Sequence, residues 1–100
     1  LESILTVAGV DAYIVGPYDL SGSLGMPGQF EAPEYIEVMH RIRSVAKKLG
    51  IPGGVHIVEP DVGQLRQRIQ EGNRFIAYSV DTRMLDTSCR AGLDSIQGLK

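Results

Sequence analysis

The stretch Gly54-Val55-His56-Ile57-Val58, closed by Glu59 and Pro60, decides the fold class. Its β-branched residues and short length suit a buried strand, and the acid and proline after it mark the end. Two runs of the same kind flank it, Ala12-Tyr13-Ile14-Val15-Gly16 upstream and Phe75-Ile76-Ala77-Tyr78-Ser79-Val80 downstream. Between and after them, apolar residues recur at helical spacing: Ile36, Met39, Ile42, Val45 or Ala46 and Leu49; then Val62, Leu65 and Ile69; then Leu85, Cys89, Leu93 and Ile96. Strands that read as continuous apolar runs and alternate with amphipathic helices belong in a parallel sheet with helices packed on it. An open doubly wound sheet and a (β/α)8 barrel both fit this α/β pattern.

Punctuation agrees with periodicity. Pro33 suits a first helical turn, Gly50 and Pro52 stop that helix after Lys47 and Lys48, Asp61 with Gln64 forms a capping box, and Gly72 closes the helix it opens. Leu1-Glu2-Ser3-Ile4-Leu5 reads as the tail of a helix with no initiator Met ahead of it, so the sequence is expected to join a longer protein midway.

At 100 residues, 43% hydrophobic and 22% charged, the chain is sized for one globular domain, not two. A formal net charge of −2 gives a nucleic-acid backbone nothing to hold, and no apolar run reaches the ~20 residues of a membrane span. The single cysteine, Cys89, cannot form an internal disulfide, which points to a reducing, cytoplasmic setting.

In parallel α/β architectures the chemistry gathers where strands end. Here that rim comprises residues 16–31, 59–61 and 81–83, carrying Asp19, Glu31, Glu59, Asp61 and Asp81 with Arg83 as its cation. An acidic rim favours a hard cation such as Mg²⁺, which takes few carboxylates and leaves positions for water and substrate oxygens. For Asp61 and Asp81 the plainer reading is a helix N-cap, and for Glu59 a solvated side chain. Asp19 stands apart, because Gly16-Pro17-Tyr18-Asp19-Leu20-Ser21 directly follows a strand and opens a loop with Gly22, Gly25, Pro27 and Gly28. Backbone N–H groups freed by a tight turn there suit a carboxylate, and the Asp side chain suits a metal. On residues alone, an ordinary turn with Asp as a local cap is the stronger alternative.

That motif, with Leu24-Gly25 and Pro27-Gly28-Gln29 after it, resembles the signature of the class II, metal-dependent pyruvate aldolases of the HpcH/HpaI family. The stretches 54–58 and 75–82 are similar to the family's last two strands. The resemblance implies that residues 1–100 are the C-terminal portion of a single aldolase domain, the closing three βα units of a (β/α)8 TIM barrel of the phosphoenolpyruvate/pyruvate type. It further implies retro-aldol cleavage of a 4-hydroxy-2-oxo acid to pyruvate and an aldehyde through a metal-stabilised pyruvate enolate. The cofactor would be Mg, Mn or Co. Asp19 matches the family's Asp ligand, and Tyr18 occupies the position whose backbone N–H helps hold the pyruvate carboxylate. The family's Glu ligand, His base, acidic partner and Arg fall upstream, and Glu2 sits too near to be that Glu. By the same resemblance the protein is a homo-oligomer whose last helix, about Arg83 to Leu99, packs on a neighbouring subunit, and the 100 residues alone are not expected to turn over.

The remaining candidates have plainer explanations. Lys47, Lys48 and Lys100 fall at helix or chain ends, which disfavours Schiff-base chemistry. His40 and His56 read as structural, Cys89 as a small buried hydrophobe, and Arg41, Arg43, Lys47 and Lys48 as a solvated face. Ser21 and Ser23 lack a nucleophile-elbow setting. Two rival functions stay open: a citrate-lyase-like CoA-thioester lyase, which residues 16–21 fit less well, and a non-catalytic association module whose open sheet edges need cover.

Overall fold

The computed structural model describes residues 1–99. In chain order it comprises α1 (Glu2–Leu5), β1 (Tyr13–Val15), α2 (Pro17–Ser23), α3 (Pro33–Leu49), β2 (Gly53–Ile57), α4 (Val62–Gln70), β3 (Phe75–Tyr78) and α5 (Asp81–Ser95). The strands form one parallel sheet in the order β1-β2-β3, with Val15 opposite Val55 and Ile57 opposite Tyr78. The expected alternation of strand and helix is present. Lys100 falls outside the described residues.

Two expected boundaries move for physical reasons. The third apolar run stops as a strand at Tyr78 because Ser79 turns left-handed, at φ 62°. The last helix begins at Asp81 and is capped at Ile96, so it is shorter at its far end than the reading to Leu99.

Two adjacent glycines in β2 are dictated by close approach. A side chain at Gly53 would run into the ring of Tyr13, and one at Gly54 into the backbone carbonyl of Phe75 on the neighbouring strand. In α3, Pro33 occupies the first turn as expected, and Gly50 closes the helix at φ 72° while Ile51 N–H bonds Ala46 C=O.

The core joins Val15 to Tyr35 and Met39 of α3, with Leu20, Leu24, Met26 and Phe30 packed around them. Burying side chains of this size contributes roughly 1.5–3 kcal/mol each. The buried stripe of α3 is Tyr35, Met39 and Ala46, a correction to the stripe begun at Ile36, which is exposed. Tyr35 wins that place because its ring also packs on Phe30, centroids 5.5 Å apart.

Val15, Val55 and Ile57 are all buried, whereas Ile14 and Phe75 are 44% and 55% exposed. The helix-covered face of the sheet is therefore the face of Val15, Val55 and Ile57, and alternation puts Ile14 and His56 on the other. The apolar stripe of α5 is uncovered: Leu85, Leu93, Ile96 and also Cys89 are exposed, which corrects the expectation of a buried thiol.

Candidate active site at the strand ends

Residues 17–23 form a helix and not the open glycine turn that the sequence suggests. Gly16 is its N-cap in extended conformation and Pro17, with φ already fixed, fills the first helical position. The turn comes later, at Gly25 and Gly28, with φ 73° and 77°. Ser21 closes it: fully buried, its hydroxyl donates to Tyr18 C=O at 3.2 Å and accepts the Gly28 N–H at 3.0 Å. Sequence reading missed this role, although a small hydroxyl seven residues ahead of a glycine is the signal available.

The donors freed beside β1 thus belong to a helix N-terminus. Pro17 has no N–H and the first helical bond is made by Leu20 N–H to Gly16 C=O, so the amides of Tyr18 and Asp19 have no acceptor within α2. Asp19 sits in this first turn, where a negative charge is favoured, and its carboxylate folds back over Gly16 into the space that a side chain there would fill. Tyr18 is 55% exposed, with its ring edge-on to Phe30 at 5.0 Å and its Cε1 close to Gly28.

Three of the other rim acids, Glu59, Asp61 and Asp81, are engaged. Glu59, expected to be solvated, receives both Nε and Nη2 of Arg83, the latter at 2.8 Å. Arg83 also donates to Asp86 at 2.6 Å, and Arg90 donates to the second Asp86 oxygen at 2.8 Å. The hydrogen bonds of Arg90 and then Arg83 hold the Asp86 carboxyl below its usual range. Asp61 is the expected N-cap, accepting from Gly63 and Gln64 N–H, and the Gln64 amide bonds, backbone first, draw its pKa down. Asp81 is not the cap; Val80 holds that position, and Asp81 is the first helical residue with its carboxylate on Thr82 N–H at 2.7 Å.

Among the described residues Asp19 and Glu31 accept no hydrogen bond and join no ion pair, and Glu31 is exposed in the turn before α3. No group of three or more His, Cys, Asp or Glu converges on one point among the described residues, so the acidic rim is not itself a ligand cage. His56 donates from Nε2 to Ser79 C=O at 3.1 Å, and His40 is exposed on α3.

At the opposite end of the sheet, Arg43 is not solvated: its Nη1 meets Glu71 at 2.8 Å, and Arg68 meets the same carboxylate at 3.0 Å. Burial alone pushes the Glu71 carboxyl up, but the Arg68 hydrogen bond and the charges of Arg68 and Arg43 outweigh it, and its pKa is lowered. A cavity beside this network, lined by Tyr13, Lys47 and Asn73, opens at the N-terminal ends of the strands and has no part in the Asp19 site.

Residues 1–87 match the family described as HpcH/HpaI aldolase/citrate lyase. A hydroxypyruvate/pyruvate aldolase of Sagittula stellata is 40% identical over 91 residues, 91% of this chain and 35% of that protein. A 2-keto-3-deoxy-L-rhamnonate aldolase of Escherichia coli is 40% identical over 88 residues, 84% of this chain and 31% of that protein. The crystal structure of an HpcH/HpaI aldolase from Desulfitobacterium hafniense superposes with a TM-score of 0.86 at 33% identity, over 99% of this chain and 38% of that one. The chain thus spans about a third of the length of the curated relatives it matches.

Proposed function

The chain belongs to the HpcH/HpaI aldolase/citrate lyase family, and from that premise we propose that it supplies the Asp19 corner of an active site that cleaves a 4-hydroxy-2-oxo acid to pyruvate and an aldehyde. The observation that carries this reading is the uncommitted Asp19 carboxylate, seated over side-chainless Gly16 at the end of β1 beside two unbonded backbone amides. The 2-oxo acid aldolases and pyruvate aldolases among its relatives favour the same chemistry.

A divalent cation, Mg, Mn or Co, fits Asp19. A hard cation of this kind accepts one or two carboxylates and keeps other positions open, and a single exposed carboxylate with no competing partner is such a donor. The remaining protein ligands come from outside the described residues. When bound, the cation supplies Lewis-acid stabilisation of the negative charge that develops on the 2-oxo oxygen, an effect worth several kcal/mol. Tyr18 binds the substrate carboxylate through its backbone N–H, with the positive end of α2 behind it. The Tyr18 ring, edge-on to Phe30, and Ser21, tied to Gly28, hold that backbone in place. The base and the arginine of the reaction belong to other parts of the protein.

Residues 1–100 are read as the C-terminal portion of one barrel domain, the closing three βα units of a (β/α)8 barrel. Consecutive parallel strands with helices on one face, and Ile14 and Phe75 exposed on the other, favour closure over a doubly wound sheet. The uncovered leucines of α5 favour a homo-oligomer in which that helix packs on a second subunit. No helix among the described residues is long and apolar enough to cross a membrane.

The test is pyruvate release by the full-length protein from a 4-hydroxy-2-oxo acid with Mg²⁺ or Mn²⁺, set against cleavage of an acyl-CoA. Metal-dependent pyruvate release supports the reading; carbon–carbon cleavage of the acyl-CoA alone, with its thioester left intact, replaces it with the CoA-lyase alternative.

A further inference from the structure

The helix-free face of the sheet places a second functional group beside Asp19. Val15 and Val55 are partners across β1 and β2 and both are buried under the helices. The next residue on each strand points the other way, so Gly16 and His56 are neighbours on the helix-free face. The Asp19 carboxylate occupies the side-chain space of Gly16, which makes His56 the adjacent side chain on β2. On the far side His56 faces Ala77 of β3, whose methyl leaves room for the imidazole.

Its ring is fixed in orientation and in tautomer. Nε2 is 3.1 Å from the carbonyl oxygen of Ser79, and a carbonyl only accepts, so Nε2 carries the hydrogen. In the neutral ring Nδ1 is then an acceptor. Ser79 is itself pinned: buried and left-handed at φ 62°, it donates its hydroxyl to Val58 C=O at 2.9 Å and its N–H to Ile57 C=O. A strained serine held by two bonds is a rigid anchor, and such strain gathers at functional sites. No hydrogen bond to Nδ1 is present among the described residues.

We propose that His56 determines specificity: its Nδ1 accepts a hydrogen bond from a hydroxyl on the aldehyde half of the substrate, so that hydroxylated aldehydes are preferred over those lacking the hydroxyl. The proposal rests on the aldolase reading of the Asp19 site. A polar group fixed to receive a hydroxyl discriminates against analogues that leave it unpaired. An aliphatic side chain at this position has no such acceptor.

Glycolaldehyde and acetaldehyde differ by that hydroxyl and serve as probes. In the full-length protein with Mn²⁺ and pyruvate, His56→Leu is expected to lower the ratio of kcat/KM for glycolaldehyde over acetaldehyde about five- to tenfold, mainly through KM for glycolaldehyde. His56→Asn, whose side-chain oxygen can reach the place of Nδ1, retains most of the ratio. Both variants exchange the methyl protons of pyruvate for solvent deuterium at the parent rate. An unchanged ratio in His56→Leu with exchange intact overturns the proposal, as does loss of exchange in both variants, which places His56 in the chemistry or the fold. If the parent protein shows neither exchange nor addition, the aldolase reading fails first and takes this proposal with it.

Discussion

The carboxylate of Asp19 occupies the side-chain space of Gly16. One residue ends a strand and the other sits in the first turn of the helix that follows, so the missing Cβ of the glycine is what lets the acid fold back onto the rim of the sheet. This pairing explains why a glycine precedes the proline in Gly16-Pro17-Tyr18-Asp19 and leads to the first prediction.

Gly16→Ala is expected to fold, because the added methyl meets the end of a movable side chain and the backbone, at φ −82°, suits alanine. Stability falls by less than about 1 kcal/mol, the scale of an N-cap change. Mn²⁺ affinity falls about tenfold, equivalent to roughly 1.4 kcal/mol, as the carboxylate is displaced. Thermal unfolding and isothermal titration calorimetry on the same variant check the two halves.

Ser21→Ala removes the hydroxyl of a fully buried residue that accepts the Gly28 N–H. The bond is part-buried and its donor belongs to an exposed residue, so its loss costs about 0.5–1.5 kcal/mol, the net worth of an ordinary hydrogen bond. Urea unfolding is expected to show a loss of that size, and hydrogen exchange at the Gly28 amide to accelerate while amides of β2 in the same protein change less.

Gly54→Ala places a methyl against the Phe75 carbonyl, where only backbone movement relieves it. The expected loss is about 3 kcal/mol or more, at the upper end of overpacking effects. Soluble yield and the denaturation midpoint report it, and a variant as stable as the parent shows that β2 and β3 pair differently.

The arginine pair on Glu71 sets an acid dependence. The folded-state pKa of Glu71 lies below its ordinary value of 4.5, so the unfolded chain binds the proton more readily. The stabilisation is complete above that ordinary value and is lost as pH falls through the lower folded pKa. Glu71→Gln should therefore cost stability at pH 7, about 1–2 kcal/mol for charge-assisted bonds in a half-buried place, and flatten the acid limb below pH about 4.5. Equal slopes in parent and variant contradict the assignment.

Periodicity and punctuation made the strands and the long helices legible, since Val55, Ile57, Gly50 and Asp61 act through local chemistry. What escaped was set by contacts distant in sequence. Whether Ile36 or Tyr35 is buried depends on Val15, the strand residue with which Tyr35 and Met39 share the core, and Glu59 is engaged because Arg83 reaches it from the next strand's helix. Helix α2 was hidden by Gly22, a poor helix former that is held by Pro17 at one end and by Ser21 at the other. Asp19 itself was legible as a residue after a strand, whereas its seat over Gly16 and the register that sets His56 beside it arise only in the folded sheet.

The central claim is that the Asp19 carboxylate holds a divalent cation, and Mn²⁺ titration of the full-length protein by calorimetry, parent against Asp19→Asn, tests it most directly. Saturable uptake is expected for the parent, with a loss of at least about a hundredfold in affinity in the folded variant, or roughly 2.7 kcal/mol, and loss of metal-dependent pyruvate release with it. Equal Mn²⁺ binding by the two proteins, with pyruvate release unchanged, contradicts it.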